Sequence, residues 1–160
     1  MARRLLALLG KRKELEKWQF TDTVLIDDTG YSHSHPTLTI GTKSPFQRTD
    51  AGLMSTYLHE QMHWFVSKHP RALAAALKDL RGMYPKVAVG TANGSARDEK
   101  STYLHLLVCF LELDALSRII GIRRARALMM KKTYYRWIYS AVLTDFDSIK
   151  CMASKHSLAQ

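Results

Sequence analysis

Only two cysteines, Cys109 and Cys151, occur in 160 residues, and they share no Cys-x-x-Cys spacing. That removes a disulfide framework from consideration and fits a reducing compartment. Cys109 lies in the apolar run from Leu106 to Leu113 and reads as a small buried hydrophobe. No uncharged apolar run approaches the ~18 residues needed to span a bilayer. No membrane partner is therefore expected, and the cytoplasm is the expected location. The opening segment, Met1 to Gly10, has an apolar core of about five residues, shorter than the ~7–15 of a signal peptide. Lys11-Arg12-Lys13 follows it, so a short amphipathic helix is expected there. Internal repeats, low-complexity stretches and linkers are also missing, which leaves one domain over 1–160, long enough for a real core. Acidic residues are scarce. Fourteen Asp and Glu face 24 Lys and Arg, for a formal charge of +10. Such an excess favours acidic surfaces, acidic peptides or nucleic acid and says little about fold.

Apolar spacing predicts a helix over residues 3–19, weakened by Gly10. Thr23-Val24-Leu25-Ile26 is strand-like, Asp27 to Gly30 is a turn, and Thr37 to Ile40 alternates as a second strand closed by Gly41. Thr49 or Asp50 can cap a helix that carries Leu53, Met54, Tyr57, Leu58, Met62 and Phe65 and ends at His69-Pro70. A helix over about residues 71–80 follows, with Gly82 as its stop, and then a loop over 85–97. Ser95-x-x-Asp98 resembles a capping box ahead of a helix that runs to about Ile120. Two or three more helices are expected before Ser154. The fold class is α+β: mainly helical, with a small β-sheet just before the helix of residues 50–68. An N-terminal helix (1–19), a central core (20–120) and a basic, aromatic, helical part (121–160) make up the chain.

What the chain does contain is His59-Glu60-Gln61-Met62-His63 in the middle of that helix. Residues four apart share a helix face, so the two imidazoles can grip one Zn²⁺. Glu60 projects beside such a metal, where a general base would stand to deprotonate an attacking water. A catalytic site needs a third protein ligand. His105 and Glu112 share one face of the 100–120 helix, along with Val108, Cys109, Ala115 and Leu116. A histidine and a carboxylate in an apolar stripe are costly unless paired or metal-bound. Two turns separate them by roughly 10.5 Å, so both cannot easily be ligands. Either His105 is the ligand and Glu112 orients a ligand histidine, or the roles reverse to give a His-His-Glu site. Glu99 is a further candidate. His33 and His35, around a hairpin turn, could touch substrate or a second metal, but read first as solvated loop residues.

On these residues the chain resembles the zincin metallopeptidases, as a generic small member. It has His59-Glu60-x-x-His63 on a helix, a preceding strand, and ligand candidates on a later helix. The resemblance covers about residues 20–120 and implies a zincin-like domain, Zn²⁺ and a peptide or protein substrate. It also implies that Thr37–Ile40 is the edge strand along the cleft, with backbone groups free to pair with an extended peptide. Two subfamily marks are missing. No third histidine follows at the short metzincin spacing, and the residue four after Glu112 is Leu116 where a thermolysin-like chain has Asp.

From Arg118 to Arg136 there are seven Lys or Arg and no acid, and Tyr134, Tyr135, Trp137 and Tyr139 cluster at the end of the stretch. Basic side chains track phosphates and aromatics stack on bases, which makes Arg123, Arg124 and Arg126 candidates for nucleic-acid or polyanion binding. The plainer reading is a solvated helix face (Arg123, Arg124, Lys131) backed by a core face (Trp137, Ile138, Val142). A third use is catalytic: Tyr134, Tyr135 or Arg136 could stabilise an oxyanion, with Tyr135 preferred. The expectation is a zinc-dependent hydrolase, most simply a metallopeptidase with Glu60 as base. Its rival is a basic nucleic-acid-binding or interaction protein with a structural or vestigial metal site.

Overall fold

Two helices that are apolar on nearly every face organise the molecule, and such helices belong at the centre of a core. The computed structural model describes residues 1–159. One central helix, α2, spans Asp50–Ser67, and the other, α4, spans Glu99–Ile120. They pack extensively against each other. Around them lie α1 (Ala2–Lys11), α3 (Pro70–Met83), α5 (Ile122–Met129), α6 (Arg136–Thr144) and α7 (Phe146–Lys155). Each of these buries one side only, for example Leu5 and Leu8 on α1 or Ala76 and Leu80 on α3. The strands β1 (Val24–Asp27) and β2 (Leu38–Gly41) precede α2. The fold is thus α+β, mainly helical, with a small sheet before the helix that carries His59 and His63. Among the described residues, no helix is long and apolar enough to cross a membrane.

Local chemistry sets the ends of the central helices. Thr49 caps α2 by accepting from the Gly52 amide, and Asp98 caps α4 by accepting from the Ser101 amide. Asp98 is therefore the cap itself, not the distal member of a box begun by Ser95. The Ser95 hydroxyl instead meets that of Thr102, at 2.9 Å. Gly52 is required by packing: a Cβ there would stand 1.9 Å from the Phe46 carbonyl oxygen of the turn preceding α2. Past Lys11 the first helix gives way to a 3₁₀ turn, Lys13–Trp18, so it is shorter than its apolar spacing predicts. Pro70 opens α3 at its first position, where its missing N–H costs nothing, and Gly82 lies inside that helix instead of ending it.

The sheet departs from expectation in a way that bears on the site. The strands β1 and β2 run parallel, in register Val24–Leu38 to Asp27–Gly41. Between them the chain doubles back, and His33 pairs antiparallel with Thr39. The two residues exchange both backbone hydrogen bonds, at 2.8 and 3.0 Å. The Ser32 hydroxyl also accepts from the Gly41 amide. The free edge of β2 is thus already covered, and the strand is buried along its whole length. Thr37–Ile40 cannot serve as the open edge that the resemblance implies. Residues 31–34 take the outer position. Trp64 holds this segment to α2 by donating its Nε1–H to the Ser34 carbonyl, at 2.8 Å. Gln61 ties the start of the sheet to the same helix, accepting from the amides of Phe20 and Thr21.

Candidate metal centre

Packing of α2 on α4 brings His105 opposite His59 and His63. Ring centroids are 5.1 Å apart for His59–His63, 5.0 Å for His63–His105 and 5.7 Å for His59–His105. One ligand nitrogen from each of the three lies within 4.8 Å of the others. Around tetrahedral zinc, nitrogens bound at about 2.0–2.1 Å stand roughly 3.4 Å apart. Small side-chain shifts thus suffice for the three to hold one cation. Hydrogen bonding also points the rings the right way. His105 Nδ1 lies 2.7 Å from the Ser101 carbonyl oxygen, which can only accept, so Nδ1 carries the proton and Nε2 is free. His59 Nδ1 is 3.0 Å from Glu112 Oε2, so Nδ1 donates to the carboxylate and Nε2 is the nitrogen left for a metal, which would displace any proton held there. Burial, helped by His59, pushes the pKa of His63 down to about 2 and that of His105 down to about 4, so both are neutral donors. Burial opposes protonation of His59 too, but its contacts with Cys109 and Glu112 outweigh this and hold its pKa well above the imidazole range.

The structure does not unite His59, His63 and Glu112 as a ligand set. Glu112 instead joins His59 and Cys109 in a deeper, fully buried group. Glu99, the weakest candidate, is solvent-exposed and belongs to neither group. Glu112 is the hub of a buried network. Its carboxylate accepts from the Ser55 hydroxyl, from Tyr139 at 2.7 Å and from the Lys132 ammonium at 2.5 Å. Lys132 also donates to the Tyr139 hydroxyl, at 2.8 Å. Burial works against ionisation of Glu112, but Lys132 and His59 overcome it and hold the pKa at about 2. The carboxylate is therefore charged, fixed on three sides, and presents its remaining lone pairs to His59.

The three histidines and Glu60 line a cavity of about 680 Å³, whose outer wall is formed by residues 31–34. Glu60 is 6 % exposed. Among the described residues no donor reaches its carboxylate. Burial lifts its pKa to about 7, with the Glu112 charge adding to the rise and His59 and Lys132 opposing it. Tyr135 closes the cavity from the other side, its ring 4.4 Å from that of His105 and 6.3 Å from that of His59. Its backbone is left-handed, at φ 53° and ψ 32°, just ahead of α6. For a residue with a bulky side chain this costs on the order of 1–3 kcal/mol and persists only where the surroundings enforce it. The enforcement comes partly from the 85–97 loop: the Trp137 amide donates to the Gly94 carbonyl at 2.8 Å. Gly94 itself sits at φ +69°, a conformation suited to glycine. Burial also raises the Tyr135 pKa to about 12, so the phenol stays protonated and can donate.

The basic stretch divides. Lys132 is buried in the Glu112 network and is no part of a solvated face. Arg118 pairs with Asp114 at 3.1 Å, so the stretch is not without counter-charge. Arg123 and Arg124 are exposed on α5, whereas Arg126 turns inward and donates to the Leu143 carbonyl at 2.6 Å. The aromatic run faces the site: Tyr134 and Tyr135 line the cavity, Tyr139 binds Glu112, and Trp137 packs edge-on against Tyr84. His33 lines the cavity, and His35 stacks on Trp64 at 4.4 Å. Sequence reasoning missed Ser55, Lys132 and Tyr139. Ser55 had a signal, because it lies one turn before His59 on the same face. Cys109 likewise lies one turn before Glu112.

No family model, curated protein or solved structure matches the chain. Geometry alone therefore ranks the ligands. Replacing His105 with Ala should weaken zinc by more than the ~10–100-fold expected of Glu112→Gln, which only loosens the orientation of His59. A competitive chelator titration of both folded variants measures the ranking. The reverse order would give Glu112 the ligand role.

Proposed function

We propose that the chain is a zinc-dependent hydrolase of the peptidase type, with His59, His63 and His105 as ligands and Glu60 as general base. One observation carries this reading above the others: a buried carboxylate without a donor stands beside three convergent imidazoles on the wall of an open cavity. A purely structural zinc site is normally closed by four protein ligands. Here three donors converge, and the fourth side is the cavity. The bound cation would supply Lewis acidity at the scissile carbonyl and make water more acidic. Glu60 then takes the proton of the attacking water as the C–O bond forms, and delivers it to the amine as the C–N bond breaks. Tyr135 donates to the carbonyl oxygen as charge builds there. Glu112, locked by Ser55, Lys132 and Tyr139, keeps His59 turned toward the metal. Both cysteines are free thiols, which supports a reducing, cytoplasmic setting.

Elemental analysis of the purified protein, paired with hydrolysis of a quenched peptide library, tests the reading. About one zinc per chain is expected, with hydrolysis that a chelator stops and zinc restores. Protein that binds no transition metal after zinc is supplied would remove the proposal and favour an interaction protein. Tyr135→Phe keeps the ring on His105 and removes only the donor. It should leave zinc content unchanged and lower kcat by roughly 10²–10³-fold, with little change in KM. A rise in KM at constant kcat would make Tyr135 a binding residue instead.

A further inference from the structure

A second cavity, of about 550 Å³, opens between α5 and α6. It lies beyond the Glu112 network from the metal cluster, and Tyr139 forms part of its inner wall. Its size is that of a small-molecule site. Its chemistry is of two kinds. Arg126 reaches in from α5 and Arg136 from α6, and no Asp or Glu is among the residues that form it. Arg126 spends one Nη2 donor on the Leu143 carbonyl and keeps the rest of its fork. Arg136 has no ion-pair partner among the described residues. The remaining wall is apolar and adaptable: Met129, Met130 and Leu143. Met130, 76 % exposed, stands at the rim of the cavity. Lys132 also borders the cavity, but its ammonium is sealed against Glu112 and Tyr139 and contributes charge only at a distance.

We propose that this cavity binds a small amphiphilic anion, with a carboxylate or phosphate head between Arg126 and Arg136 and a short apolar body against Met129, Met130 and Leu143. Planar guanidinium forks suit both heads, since each offers paired oxygens to paired N–H donors. The volume of about 550 Å³ is enough to take the head and a short apolar body of a free molecule together. The site is separate from the hydrolytic reading and does not depend on it.

Calorimetric titration of the full chain at fixed ionic strength provides the test, with monomeric octyl phosphate, octanoate, inorganic phosphate and octanol as probes. The expected result is one saturable site for octyl phosphate or octanoate, at least tenfold tighter than for inorganic phosphate or octanol. Arg126→Gln and Arg136→Gln should each weaken it tenfold or more. Arg123→Gln, on the exposed face of α5, should not. Circular dichroism of each variant checks that the fold is kept, and Met130→Gln gives a second route by weakening the octyl probes but not inorganic phosphate. The proposal is overturned if neither anionic probe saturates. Arg123→Gln acting as strongly as the cavity variants would overturn it, and so would inorganic phosphate matching octyl phosphate. Arg136-dependent binding to phosphatidylglycerol vesicles without binding of the monomeric probes would overturn it in favour of a membrane surface.

Discussion

Glu60→Gln should leave the zinc content and the circular dichroism spectrum intact and lower kcat by about 10²–10⁴-fold, the range for loss of a general base. The amide has nearly the same shape as the carboxylate, so packing on α2 barely changes. Glu60 makes no hydrogen bond to another described residue, so no buried partner is orphaned by the change. The variant separates two jobs that His→Ala substitutions confound: holding the metal and moving the proton. Undiminished turnover in a fully zinc-loaded Glu60→Gln protein would assign the base elsewhere. Residual turnover with unchanged KM is the expected pattern, because substrate binding does not need the proton acceptor.

Lys132→Met carries the largest expected cost in stability. Lys132 and Glu112 have fully buried side chains, paired at 2.5 Å. Removing one partner strands the other as a buried charge, which typically costs about 3–5 kcal/mol. Urea denaturation of the zinc-free protein measures this without a contribution from metal binding. Lys131→Met, one residue away and exposed, should stay within about 0.5 kcal/mol. Adding Glu112→Gln to Lys132→Met should recover part of the loss, since neither charge is then stranded. A double variant as unstable as the sum of the two singles would mean that the ion pair is not coupled, and that Lys132 acts by packing over Phe46, Tyr134 and Tyr139.

Much of the fold could be read in advance because its signals are local. Thr49 stands where a cap belongs, His69-Pro70 ends α2, and Gly121 separates α4 from α5, although the cap of α4 is Asp98 and not Ser95. The helix that carries His59 and His63 was legible for the same reason, since a four-residue spacing fixes a common face. Pairing of His105 with that helix could be inferred only from the cost of burying it. The hidden part is tertiary. Nothing near Lys132 distinguishes it from Lys131; its neighbour in space, Glu112, is 20 residues away. The parallel sheet was also out of reach, because two short apolar runs separated by a turn look the same whether the chain returns once or twice. Tyr135 was legible as a chemical type but not as a left-handed residue.

Glu112 is gripped from both sides of Gly121: Ser55 and His59 come from before it, Lys132 and Tyr139 from after it. The chain can therefore be divided at that glycine, which sits at φ +83° with no other group within 4 Å of where a Cβ would stand, into two pieces that each hold half of one device. Residues 1–120 would keep His59, His63 and His105 yet lack Lys132, the cation paired with the hub. Residues 122–160 would keep that cation with nothing to neutralise. Mixed together, the two pieces would each complete the other's half of the buried ion pair, so the contact that Lys132→Met removes is also the one that would favour their reassembly.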